Sequence, residues 1–523
     1  MKMNQKYSKD KLSDYYDIII IGSGISGLTC AAFLGMHGKK VLVLEKHFKI
    51  GGWTHTFKRK GYEWDVGIHY IGGVHLKKTM SRRILDKISD NKLKWNKMTP
   101  NYDRIIFPDK SYNFIAPKEE FIKQLINYFP EEEKAILKYV DLVDKANKVS
   151  LNYFMSKTLS GISEFLFYKT LTKKFFKYSD KTTYEVLSSI TSNKKLIGVL
   201  TGQWGDHGLT PKESSFMMHS LIVSHYFDGG NYPVGGCRQI AETIVPFIRK
   251  NNGDLFVDAD VKKINIESNK ATGITLENGD IINAKTIISS AGIVNTLQKF
   301  VKNNNSFNTS LLKKIKPTES YICLHIGING STKDLGLEDT NFWIYPDYNH
   351  DKNVQNSLKS IDNQFPVVYI SFPSVKDPNW EKEHPGKSAM EAITFSSMSW
   401  FEKWSHLDWK KRGEEYEKLK EHLSNRLLDT VYKHVPSIKG KVDYFELSTP
   451  LSTRDLANYP EGEMYGIEHG PDRFKQKWLK PKTPIKNLYL TGQDVTTVGF
   501  TSALFSGLLT SSVILNKNLT KKL

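Results

Sequence analysis

Two stretches of the chain place histidine next to tyrosine. In "DVGIHYIGG", residues 65–73, His69 and Tyr70 stand among three glycines, and in "MHSLIVSHYF", residues 218–227, His219 precedes His225 and Tyr226. Imidazole is the side chain that titrates nearest neutrality, so His69, His219 and His225 are candidates for proton transfer. Tyr70 and Tyr226 are candidate proton donors or positioning groups beside them. Glycine has no Cβ and permits close approach of another molecule, so the glycines around His69 predict a flat ligand lying against the main chain. Among these five residues His69 is favoured.

The elements that would hold such a ligand begin at Asp17. The run "DIIIIGSGISGLTCAAFLGMHGKKVLVLEK", residues 17–46, predicts a buried strand, a glycine loop, an amphipathic helix and a second strand. The three glycines differ in what they do: Gly22 makes the tight turn, Gly24 lets backbone N–H groups reach a pyrophosphate, and Gly27 lets the helix pack on the strand. The phosphates then sit at the positive end of the helix. Glu45 follows about 20 residues on, at the end of the second strand, where an acid takes the hydroxyls of an adenosine ribose.

A second close-approach loop, Gly51-Gly52, and then "DVGIHYIGG" follow directly. A nicotinamide domain has no need of them, whereas a flavin must be lined along its length, so the dinucleotide is read as FAD. At the other end, "KNLYLTGQDVTTVGFTSALFSGLLTSSVILNK", residues 486–517, predicts a buried strand ending at Thr491-Gly492, an acid at Asp494, and a helix whose N-terminus faces the charge of a reduced flavin. Residues 253–292 read as a β-meander, with an Asn278-Gly279 hairpin turn, inserted into a Rossmann sheet.

The remaining composition narrows the class. A chain of 523 residues exceeds one compact core and predicts two or three domains. Cys30, Cys237 and Cys323 lack metal-ligand or CxxC spacing, so no metal site and no disulfide framework are expected, and a reducing compartment fits. No signal peptide or spanning run is read, which predicts a cytoplasmic protein, peripheral on a membrane. The net charge of +18 comes without a zinc finger, an RNP-like string or helix-turn-helix spacing. Nucleic acid is therefore not expected, and an anionic membrane surface or a simple lysine bias remains.

The strings "IIIIGSGISGL", "VLVLEKHFKIGGWTHTF", "DVGIHYIGG", "HYFDGGNYPVGGCRQIAETI" and "LTGQDVTTVGFTSALFSGLL" together resemble the flavin-dependent family of phytoene desaturases, carotenoid isomerases and all-trans-retinol 13,14-reductases, and most nearly its retinol saturases. The resemblance implies an α/β, amine-oxidase-like two-domain flavoprotein. Residues 1–85, 228–305 and 480–523 would form the Rossmann-type FAD domain with its inserted β-meander, and residues 86–227 and 306–479 a mixed α/β substrate domain. It also assigns Gly22, Gly24 and Gly27 to the pyrophosphate, Glu45 to the ribose, and Gly51 and Gly52 to the phosphate and ring region. Val261 goes to the adenine, Asp494 to the ribityl and pyrophosphate, and Gly67, Ile68 and His69 to the isoalloxazine. Lys46, Gly492 and Thr501 complete the expected non-covalent cofactor contacts. Trp53 departs from the desaturase pattern, which has arginine after the double glycine.

Flavin chemistry at carbon allows saturation, desaturation or cis–trans isomerisation at one site. The resemblance favours a retinol saturase-like enzyme on a hydrophobic polyene; the alternatives are a carotenoid desaturase or isomerase, or an unsaturated fatty-acid isomerase or reductase. An amine oxidase and a flavin-free binding protein of the Rab escort type share the fold. The covalent form of the first needs a late cysteine, and none follows Cys323; the second lacks the flavin-contacting set that is present here. Only one dinucleotide fingerprint is present, so a reductase would draw electrons from NAD(P)H docking transiently or from another protein. No oligomeric state is read. Residues 151–180, rich in Phe, Leu, Tyr and Lys, predict a helix or helical hairpin in the membrane interface, with Phe165 to Phe176 as its lipid face.

Overall fold

The computed structural model describes residues 3–302 and 309–523. Its first layer is a five-stranded parallel sheet in the order Gly253–Phe256, Val41–Leu44, Ile18–Ile21, Thr286–Ser289, Leu488–Leu490. The central strand is four isoleucines, all buried. Alternate side chains of a strand point to opposite faces, and both faces of this one are covered. Ile18 and Ile20 pack on the helices Ile25–Met36, Arg238–Lys250 and Phe500–Leu515. Ile19 and Ile21 pack on the antiparallel meander Val261–Glu267, Lys270–Leu276 and Ile281–Asn283. Gly279 makes the turn into the last of these strands at φ +90°.

A second, seven-stranded sheet runs Val442–Ser448, Ser320–Asn329, Lys387–Ser396, Val368–Ser371, Asn341–Ile344, Asn101–Ile106, Ser111–Ile115. All its pairs are antiparallel except Asn341–Ile344 with Asn101–Ile106. The hairpin of Thr56–Arg59 and Tyr62–Asp65, and a small sheet of Ile71–Gly72, Gly230–Pro233 and Trp95–Lys97, join the two layers. Trp64 marks the junction: its indole N–H donates to the Ile326 carbonyl of the large sheet at 3.1 Å. The expected domain boundary at residues 305 and 306 lies outside the described residues.

The segment 151–180 forms the end of the helix Glu133–Ser156 and the helix Ile162–Ser179, separated by a turn with Gly161 at φ +58°. Its apolar residues divide in two. Ile162, Phe165, Leu166 and Phe167 are exposed, but Phe175 is fully buried, stacked on Tyr153 with ring centroids 3.9 Å apart. The expected lipid face therefore stops short of Phe175 and Phe176, which pack against the interior with Tyr153. Among the described residues no helix is long and apolar enough to cross a membrane.

Candidate active site

Two cavities run along the C-terminal ends of the parallel strands, and both are lined by Gly24, Trp53, Val66, Ser290, Tyr321, Cys323 and Tyr459. The larger, about 600 Å³, holds Gly22, Glu45, Lys46, Gly52 and Val261 in its wall. The smaller, about 210 Å³, holds Gly67, Ile68, His69, Gly492 and Asp494. Residues from both ends of the chain thus meet on one continuous space.

The glycine loop separates into distinct jobs. Gly22 has φ +97°, a conformation that L side chains avoid. A Cβ on Gly27 would stand 2.4 Å from the Gly22 carbonyl oxygen, so this glycine seats the helix on the loop. A Cβ on Gly24 would meet nothing within 4 Å, because the space in front of it is the cavity itself. That open cradle, at the N-terminus of the helix Ile25–Met36 with no acid in its first turn, fits a pyrophosphate. Gly51 is buried beneath the loop, where its N–H donates to Ser23 Oγ at 3.1 Å, and Gly52, at φ +55°, brings its backbone against Gly24.

Glu45 Oε2 accepts from the Ser23 N–H at 2.8 Å and the Ser23 hydroxyl at 2.7 Å, while Oε1 accepts from the His47 N–H at 2.8 Å. These bonds fix the carboxylate at the cavity wall with lone pairs to spare for ribose hydroxyls. Lys46 is engaged within the protein, donating to Asn458 Oδ1 at 2.8 Å and lying 3.5 Å from Asp260.

At the other end, Asp494 Oδ2 accepts from the Ile293 N–H at 2.8 Å, and burial pushes its carboxyl above the usual range against the pull of Arg473. Arg473 lies outside every sequence motif, yet it donates to the carbonyls of Gln493, Asp494 and Thr496 and pins the whole turn. The turn is also held by Val498 N–H donating to His469 Nε2 at 2.8 Å. Gly492 N–H is spent on Ser506 Oγ at 2.9 Å. Thr501, in the first turn of Phe500–Leu515, lies outside both cavity walls.

Within "DVGIHYIGG", Asp65 turns inward to Tyr232 OH and the Cys237 N–H and anchors the loop. Gly67 lines the smaller cavity, but its close neighbour is Trp53: a Cβ would stand 2.8 Å from the indole ring. Trp53 therefore excludes a side chain at Gly67.

Of the five proton-transfer candidates only His69 reaches a cavity wall. Its Nδ1 lies 3.1 Å from Glu391 Oε2, and Glu391 Oε1 lies 3.0 Å from His325 Nδ1. Burial opposes the charge on Glu391, but the two imidazoles beside it outweigh that and hold its carboxyl below the usual range. His325 lines the larger cavity and His69 the smaller.

The other four lie behind the wall. His219 Nε2 pairs with Tyr139 OH at 2.8 Å, and His225 Nε2 accepts from the Gly72 N–H at 2.8 Å. Burial lowers His219 to about 3 and His225 to about 4, so both are neutral near pH 7 and committed to structural bonds. Tyr70 and Tyr226 stack with ring centroids 4.3 Å apart. The Tyr70 hydroxyl is directed to Asp103 and Asp206.

A site that runs from Val261 to Gly67 accommodates a flavin dinucleotide, and the molecule is an FAD-dependent oxidoreductase with a mixed α/β two-layer fold. The chain belongs to the family of flavin containing amine oxidoreductases, whose sequence profile matches residues 25–515. It is 35% identical to the all-trans-retinol 13,14-reductase of Danio rerio over 99% of this chain and 89% of that one. It is 27% identical to the chloroplastic prolycopene isomerase 2 of an Oncidium hybrid cultivar, over 84% of this chain and 74% of that one. Among solved structures, an oxidoreductase from Methanosarcina mazei superposes with a TM-score of 0.61 at 16% identity, covering 96% of this chain and 100% of that one.

Proposed function

We propose that the protein is a reductase of a carbon–carbon double bond in a hydrophobic polyene of the retinol class. The observation that carries this reading is the smaller cavity: it continues directly from the cofactor end, and Ile68, Trp343, Tyr369, Ile393, Phe395 and Phe500 give it a largely apolar stretch of wall. Such a wall suits an apolar chain and excludes water from the reacting carbon. The full-length likeness to the Danio rerio retinol reductase supports the same substrate class.

Bound FAD would supply a hydride equivalent to carbon. Gly24 and the N-terminal turn of Ile25–Met36 would hold its pyrophosphate, Glu45 its ribose, and the Asp494 turn its ribityl chain. His69, beside Glu391, positions the substrate in the smaller cavity. Residues 1–85, 228–305 and 480–523 are assigned to the flavin domain and the rest to the substrate domain. Electrons arrive from NAD(P)H or a protein donor, since the single fingerprint is used by FAD.

The exposed Ile162, Phe165, Leu166 and Phe167, with Lys169, Lys173 and Lys174 on the same helix, form the surface assigned to peripheral contact with an anionic membrane. A prolycopene isomerase among the relatives favours one second reading, cis–trans isomerisation without net redox change.

The test is anaerobic. The protein is reconstituted with FAD, reduced, and mixed with all-trans-retinol while flavin absorbance and product mass are followed. Flavin reoxidation with a gain of two hydrogens is expected. Reduced flavin with an isomerised product of unchanged mass would give the second reading, and no change in either would reject the substrate.

A further inference from the structure

The short helical turn Trp204–Asp206 brings one carboxyl group to the wall of the smaller cavity. Neither the cofactor cradle nor the His69 pair makes use of it. Asp206 Oδ2 lies 3.3 Å from the Tyr70 hydroxyl, and the same hydroxyl lies 2.9 Å from Asp103 Oδ2. A phenol has one hydrogen, and it cannot serve two carboxylates at once.

The surroundings decide which acid receives it. Asp103 also accepts from Gln203 Nε2 at 2.7 Å and from Asn341 Nδ2 at 3.0 Å, and the ammonium of Lys376 is hydrogen-bonded to the other end of the Asn341 amide. Burial raises the Asp103 carboxyl to about 6, and three donors and a nearby cation oppose that rise and favour its ionised form. Among the described residues no cation pairs with Asp206. With the Tyr70 hydrogen directed to Asp103, the Tyr226 hydroxyl is the donor left to Asp206, against three donors on Asp103. Burial, together with the charge of Asp103, indeed pushes the Asp206 carboxyl well above the usual carboxylate range.

We propose that Asp206, kept as the neutral acid by its link through Tyr70 to Asp103, is the proton donor to the substrate carbon. The proposal rests on the reductase reading. The balance is simple: the π bond of the substrate breaks, one new C–H bond takes the hydride of the reduced flavin, and the neighbouring carbon takes the Asp206 proton. The flavin is oxidised, Asp206 is left as carboxylate, and water entering as product leaves restores its proton. A carboxylic acid suits this step because it gives up a proton without needing a charge in an apolar cavity beforehand.

Two readouts test it on the full-length flavoprotein. Infrared spectroscopy at neutral pH, which needs no substrate, should show a protonated-carboxyl C=O band that disappears in Asp206→Asn. In single-turnover reduction of all-trans-retinol by the pre-reduced flavoprotein, D206N should slow flavin reoxidation by about 100-fold or more with FAD absorbance and retinoid binding unchanged. An unchanged infrared band, or an unchanged single-turnover rate, overturns the donor role while leaving the reductase reading intact. A wild-type flavoprotein that binds retinol but never reduces it overturns the reductase reading and the donor role with it, even if the infrared band is present. Should D206N fail to fold, Tyr70→Phe removes the hydroxyl between the acids and keeps the ring; it should shift the same band, and an unshifted band overturns the proposal.

Discussion

Glu391 Oε2 lies 3.1 Å from His69 Nδ1, and through its other oxygen the same carboxylate reaches His325, so a single buried acid orients one imidazole of each cavity. Removing the acceptor beside buried polar groups leaves them unsatisfied, which costs about 1–3 kcal/mol. Glu391→Gln should therefore lower stability in denaturant titrations by an amount of this order. His69→Ala, at the cavity wall, should leave FAD absorbance intact and lower kcat by about 100-fold through misplaced substrate. An unaltered kcat would reduce His69 to scaffold.

The fingerprint glycines give a sharper contrast. Gly24 has φ −60° and open space in front of it, so Gly24→Ala should fold with unchanged melting temperature and lose FAD. Gly27→Ala forces a methyl group to 2.4 Å from the Gly22 carbonyl and should destabilise the apoprotein, at about 1–3 kcal/mol for an overpacked site. Flavin absorbance and apoprotein melting, measured side by side, separate the two. Equal melting losses would show that Gly24 serves the fold rather than the ligand.

The same glycines show which parts of the site are legible in sequence. Gly22, Gly24, Gly27 and Glu45 lie in one strand–loop–helix–strand unit, so local spacing alone announces the glycine loop and the acid beside it, and the buried run Ile18–Ile21 announces its strand by composition. Asp103, Asp206, Glu391 and His325 come from four separate elements that only the large sheet and its connections bring together. Their one local signal is a titratable residue inside an apolar strand: Glu391 in "SAMEAITFS" and His325 in "YICLHIGIN". Such residues are expensive to bury alone, which is the reason to seek their partners. His219 and His225 mislead because a histidine on a helix looks the same in sequence whether its ring meets a ligand or a Tyr139 hydroxyl.

Glu463 gives a pH prediction. Burial, with Asp494 adding like charge, raises its pKa from 4.5 to about 7. Between those values the folded chain holds a proton that the unfolded chain releases, so this group's contribution to stability falls as pH rises through that window. Glu463→Gln removes the dependence. The melting temperature of the variant relative to wild type should rise between about pH 4.5 and about pH 7 and stay level outside that range. A constant difference across the range would mean that Glu463 is ionised in the folded protein.

The exposed end of the helix Ile162–Ser179 supplies the last prediction. Phe165 is 88% exposed and Ile162 79%, while Phe175 on the same helix is wholly buried, so the outer turns can be altered without touching the interior. An apolar side chain removed from water contributes about 1.5–3 kcal/mol, and two of them suffice to change a membrane partition constant by at least about tenfold. Ile162→Asp with Phe165→Asp should therefore reduce co-sedimentation with vesicles containing anionic phospholipid by that factor. Charge reversal adds repulsion from the lipid headgroups, whereas melting and FAD content should stay as in wild type because the sites are solvent-facing. Salt separates the two contributions: attraction through Lys169, Lys173 and Lys174 weakens as ionic strength rises, while the apolar part persists. Binding that survives both substitutions, at low and high salt, would place the membrane contact elsewhere on the molecule.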